Sequence, residues 1–140
     1  MFTGLLNSHV ANVSQFGSYP GYPPASNALD GNHNSIQHTY GTGIHFWKVV
    51  FDKRIFIQRI KIVDRQDCCI GRDDNLDIKT TVINSGSRTE RICANTGTLG
   101  GEKILDCNEY ADELEIFRDF VSGTNINLAE VYFYGITCFV

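Results

Sequence analysis

Arg59-Ile60-Lys61-Ile62-Val63-Asp64-Arg65-Gln66-Asp67-Cys68-Cys69-Ile70-Gly71-Arg72 changes character halfway along. Arg59 to Val63 reads as a strand, with β-branched residues in near-alternation. From Arg65 to Arg72 the residues become polar, and Asp73 to Asn75 lead out through a turn-rich run. The pattern predicts a surface loop held on a rigid strand, a common place for binding groups. Each arginine offers five donors in a planar fork suited to oxygen acceptors at fixed spacing. Asp67, between Arg65 and Arg72, can hold the guanidiniums by charge-assisted hydrogen bonds. Donors beside a small apolar platform suit a neutral polyol, that is, a sugar.

Cys68 and Cys69 are adjacent. Bonded to each other, they close a very small, strained ring, and such strain tends to persist at functional sites. Paired elsewhere or left free, they are two unrelated cysteines. From the loop itself both readings stand open.

Working outward, apolar residues come in short runs with turn residues between them, and no long amphipathic helix is expected. Strands are predicted at Val10 to Phe16, His45 to Phe51, Arg54 to Val63, Leu76 to Asn84, Arg88 to Ala94, Glu102 to Cys107, Glu113 to Phe120 and Leu128 to Tyr134. Asp52-Lys53 and Asn84 to Ser87 read as turns, and Arg88–Ala94 with Glu102–Cys107 as a hairpin. Ile55, Ile57, Ile60 and Ile62 alternate with a one-residue slip, which predicts a bulge. Trp47 is expected in the core. Strands recurring roughly every 10 residues, with turns between, indicate an all-β sandwich.

The chain has 140 residues, enough for one domain (1–140) with one core. A net charge of −4 and a pI near 5.5 argue against nucleic acid or anionic membrane as main partners. No apolar run approaches about 18 residues, so membrane insertion is not expected. The start, Met1 to Asn7, has no signal-peptide pattern. Five cysteines leave at least one unpaired within the chain. Cys93 and Cys107 flank a turn-rich segment and could staple neighbouring strands. Two bridges would indicate an oxidising compartment. Zinc is not indicated, since no Cys-x-x-Cys pair occurs.

Twenty-six residues separate His38 from Arg65, and four separate Asp67 from Arg72. This spacing resembles the F-type lectin (fucolectin) motif: a His, 26 residues, Arg-x-Asp, four residues, then Arg or Lys. The Cys68-Cys69 pair stands where that family has a vicinal disulfide. The resemblance covers about Val10 to Gly135. It implies an eight-stranded jelly roll shared with discoidin and coagulation-factor C domains, and a Cys93–Cys107 disulfide. It implies that His38, Arg65 and Arg72 donate hydrogen bonds to L-fucose, with the Cys68–Cys69 bridge against the ring edge. Tyr19 or Tyr22, in the loop Ser18 to Ser26, would cover the sugar's methyl group; the alternative is that both pack that loop onto the body.

The resemblance also implies a structural calcium ion. Asn27-Ala28-Leu29-Asp30-Gly31-Asn32 is a turn rich in oxygen donors, a weak signal by itself. The matching ligands are Asn27, Asp30, Asn32, Ser35 and Glu130, with Ala129 beside them. Ile36 and Ala129 occupy two places that a disulfide joins in the family. His9, His33 and His45 have no support as ligands, and Cys138 has no partner in the motif.

The expectation is a secreted, non-catalytic lectin, with several linked sites or homo-oligomers raising a weak single-site affinity. The rival is a discoidin-like module for a protein or phospholipid, which would not need the motif. A thiol redox enzyme lacks the Cys-x-x-Cys spacing, and no carboxylate pair suggests a glycosidase.

Overall fold

The computed structural model describes residues 4–17 and 21–137. Seven strands account for most of these residues: β1 (Gly4–Leu5), β2 (Val10–Gln15), β3 (Phe46–Asp64), β4 (Asp77–Asn84), β5 (Ser87–Asn95), β6 (Glu102–Phe117) and β7 (Leu128–Thr137). The helical pieces are single 3-10 turns at Asn7–His9 and Ala25–Leu29. All strand pairings are antiparallel.

Two long strands bend from one layer of the sandwich into the other. The first half of β3 pairs with β2 and with the second half of β6, and β4 and β5 extend that layer. The second half of β3 pairs with β7 and the first half of β6, and β1 closes that edge. Asp52-Lys53 is therefore not a turn between strands. The ladder shifts register between Val50 and Ile55 and the chain continues as one strand. Likewise, the segments expected at 102–107 and 113–120 are one strand ending at Phe117. A bulge kinks a strand without ending it, so eight expected segments merge into fewer, longer strands.

The expected hairpin of β5 with β6 is absent from the pairing. β5 pairs with β4 instead. Ser85 and Gly86 both have positive φ, 50° and 80°, which suits the tight two-residue turn that antiparallel strands favour. A disulfide, not a ladder, joins β5 to β6: Cys93 to Cys107, Cα atoms 4.8 Å apart.

The isoleucine slip falls where the sequence puts it. The register of β3 shifts between Ile57 and Arg59 against both neighbours, and Ile55, Ile57, Ile60 and Ile62 are all fully buried. Full burial of each contributes roughly 2 kcal/mol before entropy is counted. Trp47 from one layer stacks on Phe133 from the other at 6.4 Å, and Phe51 meets Phe133 edge-on at 5.4 Å. Trp47 is fully buried and donates its Nε1–H to the Ala25 carbonyl at 3.0 Å.

The register puts four connections at one end of the sandwich: residues 16–45, 65–76, 96–101 and 118–127. There Phe46 and Asp77 both stand opposite Phe117, while Val63 stands opposite Glu102 and Glu130.

Candidate functional site

His38 sits on a tightly anchored stretch. Gln37, fully buried, binds both sides of Leu128: its amide donates to the Leu128 carbonyl at 3.0 Å, and its side-chain oxygen accepts from the Leu128 amide. Thr39 donates to the Ile126 carbonyl at 3.0 Å. Gln15 donates to the carbonyls of Pro23 and His38 at 3.0 and 2.9 Å, tying two loops together. Gly17 has φ of 71°, and a Cβ there would stand 1.9 Å from the Tyr40 carbonyl oxygen. Only glycine allows that approach of the two backbones.

The His38 imidazole has a defined orientation. Its Nδ1 lies 2.7 Å from the Thr39 carbonyl oxygen. A carbonyl only accepts, so Nδ1 carries the proton and Nε2 is the atom left for a ligand. Desolvation lowers the ring's pKa below its ordinary 6.5, and the Arg65 and Arg72 charges push the same way. His38, Arg65 and Arg72 thus share one electrostatic neighbourhood.

The two arginines are held differently. Arg65 is braced by Asp67 through Nε to Oδ1 at 2.6 Å. Asp67 has no such bond to Arg72, so the expected double brace is single. Arg72 is held by Asn127: with the Asn127 amide nitrogen facing Asp73 Oδ2 at 3.0 Å, its oxygen accepts from Arg72 Nη1 at 3.3 Å. The Arg72 carbonyl accepts from Arg118, whose other terminal nitrogen donates to Thr124 at 2.7 Å.

Cys68 and Cys69 are bonded to each other, with Cα atoms 3.8 Å apart. Cys69 has φ of 70°, a backbone conformation that costs a non-glycine residue about 1–2 kcal/mol. The open alternative of separate cysteines is thereby closed. Ile70, next in the chain, is 91% exposed. The Tyr22 ring stands 5.4 Å from His38 and 4.9 Å from the Tyr40 ring. Tyr22 is therefore beside the imidazole. Tyr19 and Cys138 lie outside the described residues.

The expected metal ligands partly converge. Asp30 Oδ1 accepts from the Asn32 amide at 2.9 Å, and Ser35 donates to Asp30 Oδ2. Glu130 is 1% exposed and accepts from the Gly31 amide at 3.1 Å. Burial, aided by a side-chain hydrogen bond with Asp30, pushes the Glu130 carboxyl up to about 7. Desolvation raises the Asp30 pKa, but the hydrogen bonds it accepts, from Ser35 and the Asn32 amide foremost, together outweigh it and hold the carboxyl below its usual range. Asn27 lies on the 3-10 turn just before Asp30, and Ala129 is fully buried beside Glu130.

The other histidines are structural. His45 is fully buried and bonds Thr39, Gly41 and Ser122; His33 bonds the Tyr132 hydroxyl at 2.7 Å. Two features were not legible beforehand. Asp73, read as part of an exposed turn, is fully buried, and Tyr40 extends the aromatic wall. A completely buried carboxyl gives no local sequence signal.

No family model matches the chain, and no curated protein matches it. Solved structures do. A fucolectin from striped bass (Morone saxatilis) serum superposes with a TM-score of 0.81 at 18% identity, over 98% of this chain and 50% of that one. The chain thus spans half the length of that protein. A Streptococcus pneumoniae fucose binding module gives 0.73 at 25% identity, over 94% and 96%. The family 32 CBM from C. perfringens NanJ, in complex with galactose, gives 0.74 at 22%, over 95% and 99%. The chain has the antiparallel β-sandwich fold of the F-type lectins and their discoidin-like relatives.

Proposed function

We propose that this domain is a non-catalytic lectin for terminal L-fucose on extracellular glycans. What supports this reading is that the Arg65 and Arg72 charges both reach His38, with the Cys68–Cys69 bridge between the two arginines in the chain. The arginines donate to the axial 4-hydroxyl, the ring oxygen and the 3-hydroxyl. His38 has a different role from the donor expected of it. Its proton is committed to Thr39, so Nε2 accepts from a sugar hydroxyl. The disulfide packs against one ring edge, and Tyr22 with Tyr40 offers an aromatic face to the methyl group. A sugar with an equatorial hydroxyl at that position leaves donors unpaired, at about 1–3 kcal/mol each.

A calcium ion would sit between Asp30 and Glu130. A buried Glu130 carboxyl beside the exposed Asp30 carboxyl favours a proton or a cation between them. Asn27, Asn32 and Ser35 supply further oxygens of the kind calcium takes. Such an ion would fix the loop that continues to His38. Both disulfides suit an oxidising, extracellular setting. A single shallow site binds weakly, so homo-oligomers would supply avidity.

The test is elution from immobilised L-fucose. Free L-fucose should release the protein and D-galactose should do so poorly. Equal release by D-galactose or glucose would overturn the reading.

A further inference from the structure

Beyond Thr81 the two layers part. β4 pairs with β6 only as far as Thr81, opposite Glu113, whereas Glu109 to Ala111 of β6 pair with β3 in the other layer. The strand end that β6 leaves behind is not frayed. Asp112 accepts from the Ile83 amide at 2.7 Å, and Arg54 donates to the Ile83 carbonyl and to Asp112 Oδ2, both at 2.9 Å. An ion pair thus takes the place of the missing ladder. A cleft of about 540 Å³ opens between the parted strands, in the size range of small-ligand sites.

The floor of the cleft is the inner face of β4 and β5. Thr80 stands opposite Arg91 and Val82 opposite Thr89, so these four side chains share one face. Ile78, two residues before Thr80 on that face, is fully buried. The small β-branched residues that follow it leave space that an Ile or Leu would fill. Glu109 and Tyr110 of β6 form the facing wall. Tyr110 is 52% exposed, with its ring braced by Phe56 at 4.9 Å. The Cys93–Cys107 bridge sets the width. Arg91 lies two residues before Cys93 and Glu109 two after Cys107, and the bridge holds its Cα atoms 4.8 Å apart. Among the described residues, neither the Arg91 guanidinium nor the Glu109 carboxylate has a side-chain partner, and the two do not pair with each other.

We propose that this cleft is a second carbohydrate site, taking one neutral pyranose unit. β4 starts at the end that carries Arg65 and Arg72 and runs away from it, so the cleft lies toward the opposite end of the sandwich. The proposal does not rest on the fucose reading. An arginine only donates and a carboxylate only accepts. A sugar hydroxyl does both, so neighbouring hydroxyls accept from Arg91 and donate to Glu109 at once. An anion would satisfy Arg91 but meet Glu109 as a like charge, and a cation would do the reverse. Thr89 adds a hydroxyl, and Val82 with the Tyr110 ring offers apolar surface to the C–H face of a pyranose. A chain with a site toward each end can bridge two sugars, which raises avidity without a second copy.

The test is an NMR titration of isotope-labelled wild type, Arg91→Ala and Glu109→Ala. The probes are the methyl glycosides of D-galactose, D-glucose and D-mannose, with L-fucose for the other site and glycine as a zwitterionic control. At least one glycoside should move the Arg91 Nε–H signal together with the Thr89 and Tyr110 amides, at one common midpoint. Either variant should weaken that response about tenfold. Both should melt like wild type, because neither side chain bonds within the chain. No response to any glycoside, an undiminished response in either variant, or a response to glycine alone would overturn the proposal. If L-fucose left the 65–72 loop signals unmoved while the cleft answered to a glycoside, the fucose reading would fail and the second site would stand.

Discussion

Arg65 and Asp67 form a planar brace two residues apart, Nε to Oδ1 at 2.6 Å and Nη2 to Oδ2 at 3.4 Å. The hydrogen bond from Arg65 is the main reason the Asp67 carboxyl lies below its ordinary range, so the brace stays charged at neutral pH. Those bonds use Nε and one terminal nitrogen and leave Nη1 free of Asp67. Asp67 thus aims the guanidinium without consuming it. Asp67→Ala should weaken fucose binding several-fold, while the melting temperature hardly moves, because an exposed ion pair adds little stability. A binding titration and a thermal melt on the same sample check both halves. Unchanged affinity would show that the loop backbone alone aims Arg65.

His38 gives the site an acid limit. Folding favours the neutral ring, because desolvation and two guanidiniums oppose a third positive charge. The folded pKa is below the unfolded value near 6.5, so the stability that the neutral ring contributes is fully present above 6.5 and is lost as pH falls from there through the folded value. Protonation works against the sugar too, since a protonated Nε2 cannot accept. Affinity should therefore fall with acid, with a midpoint below that value. His38→Gln, which does not titrate, should remove the acid arm. An acid midpoint above 6.5 would contradict this reading of the imidazole.

The parts of this molecule legible in its sequence are those set by local rules. Ile55 to Ile62 announced a bulge because strand periodicity is 2 and one residue broke it. Arg65 to Arg72 announced a loop because its polar residues follow a strand. Asp52-Lys53 misled for a physical reason: two charged residues signal exposure, and a bend between layers is as exposed as a turn. The β5–β6 hairpin misled because the turn-rich run between Cys93 and Cys107 reads as a tight connection, yet a disulfide can cross between strands that share no ladder. Asp73 could not be read at all. Its burial depends on Asp64, Asn127 and Arg118 arriving from three separate strand ends, and only the completed fold brings them together.

Removing divalent metal should act on the fold before it acts on the sugar. Asp30 and Glu130 are drawn together by β7 and the turn after residue 29, and Val63 stands opposite Glu130 one residue before Asp64. The proposed calcium thus lies beside the sugar loop and not in it. A metal that binds only the native state stabilises by mass action. Chelation should lower the melting temperature by several degrees, with a smaller loss of fucose affinity, and added calcium should restore both. Glu130→Gln should melt low whether or not calcium is present. No shift on chelation, with no calcium found by elemental analysis, would sink the metal.

The two disulfides should separate cleanly by what they protect. Cys93–Cys107 closes 14 positions of chain and ties β5, an edge strand, to β6 across a gap with no ladder. Loop-closure entropy for that length is worth about 3 kcal/mol. Replacing both with Ser should lower the melting temperature by roughly 10 °C. Cys68–Cys69 closes a loop too short to restrict the unfolded chain, so that argument gives it almost no stability. It holds Cys69 at a φ of 70° that the residue would not choose, and removing it relieves that cost. Its value is local: it stiffens the backbone between Arg65 and Arg72 and presents sulfur to the ligand. Replacing Cys68 and Cys69 with Ser should leave the melting temperature within a degree or so of wild type and weaken fucose binding several-fold. Thermal melts and fucose titrations of the two double variants give the comparison directly. The assignment fails if the Cys68/Cys69 variant melts as low as the Cys93/Cys107 one, or if it binds fucose as tightly as the parent.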